Sequence, residues 1–456
     1  MRKSICAAVL VFVVVGRATA EEPTLNQPLE CMKQYKMKEF PVIAWCFHNY
    51  EGTDYNDEYA QKVKAANFNV VVETGYMMDA CRKAGLKVLY YSQTEDKLTE
   101  RDVWGTKRTH PAQKDWATPA WLKENLAKYG DNPALVGYVI GSNYGRRSVP
   151  SGPVECAKWL RENKTGLFPW LAYCWDVEGQ AKAGLSILSI ECYRRKTHKG
   201  FGYDNKGWAH DKRNSYCGIL EDGRVIANKF NLAFWPMFPA VTASKGQGEV
   251  VGSTHGQSEI RFQVLSAIAY GAQGVVYFVY STTREVWKPE GTTYKAAQDV
   301  NKLVTEVIGP RVLGHRSIGV YCSRPDAPEK LRVKPPQGAL APGEGQLIEK
   351  MDGGVMAGVL VKEADFKSGA NTPAYVMVID ARTAPLQYEK ELKERTFKLT
   401  FGPQVKAVEI LGAPGEPTKT AAREISLTLR PGDGRLLKVT LAEGAVKAAP
   451  ADAGKN

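Results

Sequence analysis

The chain has 456 residues, 44% hydrophobic and 24% charged, an ordinary balance for a globular protein that is too long for one small core. Its formal charge of +12 favours acidic partners or substrates over neutral ones. No nucleic-acid recognition motif accompanies that charge, so nucleic acid is set aside as a partner.

The first twenty residues read as a cleaved secretory leader. Arg2 and Lys3 precede the apolar run ICAAVLVFVVV (5–15), and Ala18-Thr19-Ala20 supplies the small residues of a cleavage site before Glu21. The run is shorter than the roughly 20 residues that span a bilayer, and no later stretch is apolar for long enough. The expectation is an exported protein, secreted or periplasmic, without a membrane partner after cleavage. Loss of Arg2, Lys3 and Arg17 lowers the charge from +12 to +9. Of nine cysteines, Cys6 leaves with the leader; Cys31, Cys46, Cys81, Cys156, Cys174, Cys192, Cys217 and Cys322 remain. They show no repeated spacing and no CxxC pair, so no metal is expected and at most one or two disulfides. Those inside apolar runs read as buried free thiols.

After an N-terminal segment (21–38), eight apolar runs follow: FPVIAWCF (40–47), FNVVVET (68–74), LKVLYYS (86–92), LVGYVIG (135–141), FPWLAYCW (168–175), ILSIECY (187–193), FNLAFWPMF (230–238) and GVVYFVY (274–280). They are near-continuous rather than alternating, as parallel strands covered on both faces require. Helix-like stretches separate them. NDEYAQKVKAA opens on Asn56, MMDACRKAG closes on Gly85, TPAWLKENLAKYG closes on Gly130, and SEIRFQVLSAIAYG closes on Gly271. Eight such units predict an α/β chain folded as a (β/α)8 TIM barrel over 39–312. A doubly wound sheet would need a Gly-rich phosphate turn after an early strand, and there is none. Beyond about Gly309 the helical signals stop. Runs such as GVMAGVLVKE, AYVMVIDA, TFKLTF and EISLTL between Gly, Pro and Asp turns predict a small antiparallel β-sandwich over 316–441, and 442–456 reads as a disordered tail.

Three stretches, NPALVGYVIG (132–141), RFQVLSAIAYGAQGVVYFVY (261–280) and LRPGDGRLLKV (429–439), resemble the clan of barrel glycoside hydrolases that carry a C-terminal β-sandwich. The resemblance implies that fold, with an acid/base Glu ending the fourth strand and a nucleophilic Glu ending the seventh. In such sequences the fourth-strand run continues into Asp-Glu-Pro or Asn-Glu-Pro. Here Ser142, Asn143 and Tyr144 follow, and the seventh strand ends in Trp-Pro-Met-Phe-Pro-Ala-Val-Thr (235–242) without a carboxylate. An amide cannot protonate a leaving alkoxide, so the clan's own retaining machinery is absent.

Barrel sites lie at the C-terminal ends of the strands. The carboxylates there are Glu73, Asp176 and Glu191. Glu191, within SIECY, is the first choice for a general acid because apolar neighbours raise a carboxyl's pKa; a pairing with Arg194 or Arg195 is the competing role. Asp176 also suits a cap of DVEGQAKAG, and Glu73 suits an ion pair. As substrate-binding candidates the rim offers His48, Asn143 and Tyr144, with the flat rings of Trp45, Trp175, Tyr193, Trp208, Trp235 and Tyr280, which suit the apolar faces of sugars or else plug the barrel. After the sixth strand comes RRKTHKGFGYDNKGWAHDKRN (194–214), seven Lys and Arg against two Asp. A solvated face is one explanation; an Arg-rich cradle for carboxylate or sulfate is the other. The expected partner is therefore an anionic carbohydrate, with no cofactor. Two readings stay open: a hydrolase with displaced carboxylates, and a catalytically silent barrel that binds the glycan. An esterase- or lyase-like activity ranks below both, since no Gly-x-Ser-x-Gly elbow is present.

Overall fold

A computed structural model describes residues 26–45, 57–73, 75–91, 118–145, 149–163, 165–174, 176–192, 216–240, 256–278, 292–323, 339–384 and 386–443. Short apolar runs form parallel strands β1 (Val42–Trp45), β2 (Val70–Glu73), β3 (Lys87–Tyr90), β4 (Leu135–Gly145), β5 (Phe168–Cys174), β6 (Ile187–Leu188), β7 (Ala233–Phe234), β8 (Met237–Pro239) and β9 (Val275–Phe278), of which β1, β2 and β9 are rich in Val and Ile. A seven-stranded parallel sheet runs β5-β4-β3-β2-β1-β9-β8, and β6 pairs with β7. The pieces β7 and β8 are the two halves of the seventh barrel strand. Pro236 lies between them and has no N–H to give a ladder; the first half pairs with β6, and the second pairs with β9 and bridges Glu191 just beyond β6. With β5 alongside β6, eight strand positions surround one lumen, and the expected TIM-barrel class is borne out.

The helices α1 (Asp57–Ala65), α2 (Met78–Lys83), α3 (Pro119–Tyr129), α4 (Ser151–Glu162), α5 (Val177–Lys182), α6 (Tyr216–Phe230), α7 (Gln257–Ala269), α8 (Thr292–Leu303) and α9 (Gly309–Val312) cover the outside. Their ends follow the sequence punctuation. Thr118 accepts from Trp121 N at 3.2 Å at the start of α3, and Gly85 and Gly271 turn the chain at positive φ after α2 and α7. Gly130 differs: it caps α3 with right-handed φ/ψ.

Alternation along the strands sorts side chains into two layers. Ile43, Trp45, Val70, Val72, Leu89, Val136, Val139, Phe168, Trp170, Ile187, Trp235, Met237 and Val276 fill the lumen. Val42, Ala44, Val71, Val88, Tyr90, Tyr138, Leu171, Leu188, Ile190, Phe238 and Tyr277 pack under the helices. The N-terminal segment closes the bottom of the lumen with Leu29, Met32, Tyr35 and Met37; nothing in its sequence pattern singled it out.

The remaining strands form antiparallel sheets: six strands, β10 (His315–Cys322), β12 (Val355–Lys362), β13 (Pro373–Asp380), β18 (Gly434–Leu441), β15 (Val405–Ile410) and β16 (Lys419–Ala421), against three, β11 (Ile348–Met351), β14 (Arg395–Phe401) and β17 (Glu424–Leu429). This is the expected sandwich. The larger sheet is buried on both faces. Val355, Val359, Val376 and Val378 face the smaller sheet, while Met356, Leu360, Met377 and Ile379 join the core beneath the barrel helices. That explains why GVMAGVLVK and AYVMVID read as continuous apolar runs. A short helix missed in the sequence, α10 (Glu363–Lys367), follows β12. Its Glu363 accepts from Arg316 at 3.0 Å and from Glu30 N at 2.7 Å, tying the sandwich to the N-terminal segment.

Between the domains α7 is buried along its length. Arg261 donates twice to Pro431 O, at 3.2 and 2.8 Å, and Ser258 bonds Glu389 through both its amide and its hydroxyl. No helix among the described residues is long and apolar enough to cross a membrane. The leader, the basic segment 194–214 and all of the tail beyond 443 lie outside the described residues.

Candidate active site

Glu191 ends the sixth strand position. Its backbone bridges Met237, and the flanking bonds Met237 N→Ile190 O (2.9 Å) and Cys192 N→Met237 O (2.7 Å) hold it on both sides. Leu188, Ile190 and Cys192 lie in the helix-facing layer and Ile187 in the lumen. Residue 191 therefore faces inward at the top of the barrel. Among the described residues no ion-pair or hydrogen-bond partner meets its carboxyl, and burial alone pushes the group up to about 8. A carboxyl of that kind is neutral at pH 7 and able to donate a proton.

The other two carboxylates stand elsewhere. Glu73 shares the outward parity of Val71, pairs with outward-facing Tyr90 across β2 and β3, and its charge raises the buried Cys81 thiol of α2. It is 2% exposed and sits behind the barrel wall rather than at the mouth. The expectation that it works beside Glu191 is corrected by this alternation. Asp176 caps α5, accepting from Gly179 N at 3.0 Å, and its second oxygen accepts from Val149 N at 3.2 Å. Both oxygens are thus engaged in holding the loop between β4 and α4 against the start of α5, the cap that the sequence offered beside catalysis.

The rings divide in the same manner. Trp45 and Trp235 are 2% and 1% exposed, and they form a column through the lumen. Phe168 packs edge-on against Trp235 at 5.4 Å, Trp235 against Trp170 at 6.0 Å, Trp170 against Trp45 at 5.2 Å, and Trp45 against Tyr91 at 5.5 Å and Phe278 at 5.6 Å. The Trp235 indole lies so close to Gly274 that a Cβ there would come within 2.9 Å of its Nε1. These two tryptophans plug the barrel and present no face to a sugar, which corrects their assignment to substrate. At the top of the column stand Tyr91, one of the strand-end rings that the sequence offers for the mouth, and Phe278, which was not among the sequence candidates. The signal of Phe278 was position alone, the last ring of a strand.

Asn143 and Tyr144 lie within β4, which pairs with β5 as far as Gly145. Their side chains, like His48, Trp175, Tyr193, Arg194, Arg195, Trp208 and Tyr280, lie outside the described residues. Among the described residues no cluster of His, Cys, Asp and Glu suits a metal ion. Among the described residues Cys31, Cys81, Cys156, Cys192 and Cys322 are free thiols, and burial raises Cys156 to about 12.

No protein-family model matches the chain, and no curated protein matches it. Solved structures do. A glycoside hydrolase superposes with a TM-score of 0.52 at 12% identity, over 92% of this chain and 98% of its own. A family 42 β-galactosidase from G. stearothermophilus gives 0.49 at 8% identity (88% and 98% covered). A family 5 glycoside hydrolase from Bacteroides vulgatus gives 0.47 at 11% (90% and 93%). The first of these spans both domains, and at that identity it establishes the fold: the chain has the barrel-plus-sandwich fold of a glycoside hydrolase.

Proposed function

We propose that the chain is an exported glycoside hydrolase-like protein that acts on an acidic polysaccharide or oligosaccharide, sulfated or uronate-bearing, with Glu191 as its proton donor. One observation carries the reading: Glu191 faces the lumen at the catalytic end of the barrel, desolvated and without a counter-charge among the described residues. A neutral carboxyl there would protonate the bridging oxygen as the glycosidic bond breaks, while water adds at the anomeric carbon and its released proton returns the Glu191 carboxylate to the acid form. The anionic substrate is read from charge: the stretch 194–214, which comes next in sequence after Glu191 and Cys192, holds seven Lys and Arg against two Asp. Guanidinium forks fit sulfate and carboxylate.

A second reading has its own support. With Glu73 behind the wall and Asp176 engaged as a cap, Glu191 has no second carboxylate beside it among the described residues, as expected of a barrel that binds the glycan without cleaving it. The experiment that separates them incubates the purified protein with sulfated and uronate-bearing polysaccharides and follows reducing ends. Release by the wild type that Glu191→Gln abolishes supports hydrolysis. Salt-sensitive binding without release supports the binding reading, and neither binding nor release sinks both.

A further inference from the structure

Two residues before Glu191, on the same face of the same strand, stands Ser189. The outward set Leu188, Ile190 and Cys192 and the inward Ile187 place the Ser189 side chain in the lumen. The β6–β7 register, Leu188 opposite Phe234, continues with Trp235 N→Leu188 O at 2.8 Å and sets Ser189 beside the Trp235 plug. Glu191 stands beside Met237, one layer higher. Ser189 is 0% exposed, and its Oγ has no hydrogen-bond partner among the described residues.

A buried hydroxyl left unsatisfied costs about 1–3 kcal/mol, and native interiors meet such groups with ordered water. Two residues along a strand rise about 6.6 Å, too far for a direct bond between the Ser189 hydroxyl and an extended Glu191 carboxyl. A single water with two hydrogen bonds of about 2.8 Å covers such a gap. The floor under Glu191 is otherwise made by Trp235 and Met237, and the Trp235 indole N–H, also without a hydrogen-bond partner among the described residues, lies against Gly274. Cys192, whose thiol feels the Glu191 charge, is on the opposite side of the strand. Among the described residues Ser189 thus carries the hydroxyl nearest in register to Glu191 on the lumen side.

We propose that Ser189 holds a buried water against the Glu191 carboxyl and is the positioning residue of that group. The inference rests on the reading of Glu191 as proton donor. The water fixes the direction of the carboxyl, and it gives the ionised form a hydrogen-bond donor that an apolar floor lacks. Removing the hydroxyl removes the anchor of that donor, so the charged form of Glu191 becomes harder to reach.

The test is a carboxyl titration by 13C NMR of protein labelled at glutamate, with the Glu191→Gln spectrum identifying the resonance. In Ser189→Ala the Glu191 midpoint rises by about half a unit or more, Ser189→Thr restores it, and the thermal midpoint of Ser189→Ala stays level or increases. A Ser189→Ala protein that is folded by circular dichroism and titrates Glu191 at the wild-type midpoint overturns the proposal; if Ser189→Ala does not fold, Ser189→Gly is read in the same way. The underlying reading fails by a different result, hydrolysis that persists in Glu191→Gln, which leaves the Ser189 titration untouched.

Discussion

Glu191 and Glu73 end strands of the same barrel and face opposite sides of its wall, Glu191 toward the lumen and Glu73 toward α2. One residue of parity separates a carboxyl that can meet substrate from one that cannot. Glu73→Gln therefore leaves glycan binding and any hydrolysis at wild-type levels. Glu73→Ala destabilises the fold by about 1–3 kcal/mol through its buried polar surroundings, as urea denaturation reads. Loss of activity with unchanged stability in Glu73→Gln would place this group in the site after all.

The tryptophan column predicts stability effects where a sugar platform would predict affinity effects. Trp235→Ala opens the middle of the lumen and costs about 3–5 kcal/mol, and Trp235→Phe costs less while leaving glycan affinity unchanged. Binding isotherms beside melting curves separate the two roles. A weakened isotherm with an unchanged melt would return Trp235 to the substrate surface.

The strand–helix order and the two fold classes, barrel and antiparallel sandwich, were legible in the sequence because each rests on local pattern. Valine-rich runs cannot be solvated on either face, and the glycines at 85 and 271 turn the chain at positive φ. The desolvation of Glu191 was legible because apolar neighbours on one strand remove it from water whatever the distant packing. Facing was less legible. In FNVVVET the three residues before Glu73, Val70, Val71 and Val72, are all apolar, so they do not say which parity looks inward; that is decided by neighbouring strands and by Cys81 of α2. The rings of Trp45 and Trp235 have the same ambiguity, since a ring at a strand end fills a lumen as readily as it lines a mouth. The bottom plug of Leu29, Met32, Tyr35 and Met37 has no periodicity to betray it, because an irregular segment buries side chains without a repeat.

Domain docking relies on one close approach of backbones. A Cβ on Gly358 of β12 would come within 2.5 Å of Ala269 Cα and 2.7 Å of its carbonyl carbon at the end of α7. Neither side is a flexible side chain that can step away, so Gly358→Ala destabilises the chain by about 1–3 kcal/mol. The loss should appear as a lower thermal midpoint. Wild-type stability would mean that the sandwich slides on α7 to admit the methyl group.

Two buried groups give stability opposite pH dependences. Glu191, raised from 4.5 to about 8, favours the folded state fully below pH 4.5, and the contribution is lost as pH rises through 8. His315, 2% exposed at the domain junction with Nδ1 3.1 Å from Leu313 O, is lowered by burial from 6.5 to about 4. Its contribution is present above pH 6.5 and is lost as pH falls through 4. Denaturation profiles of Glu191→Gln should accordingly be flatter than wild type between pH 4.5 and 8, and those of His315→Gln flatter between 6.5 and 4. Parallel profiles for a variant and the wild type would contradict the burial of that group.

The most direct measurement is the titration of Glu191 itself in the wild-type protein, from the carboxyl 13C resonance that vanishes in Glu191→Gln. A midpoint near 8 is the predicted result, with any glycan hydrolysis declining as pH passes through it. A midpoint near 4.5 would show a solvated, ionised carboxylate at neutral pH, and it would overturn the proposal that Glu191 is a proton donor.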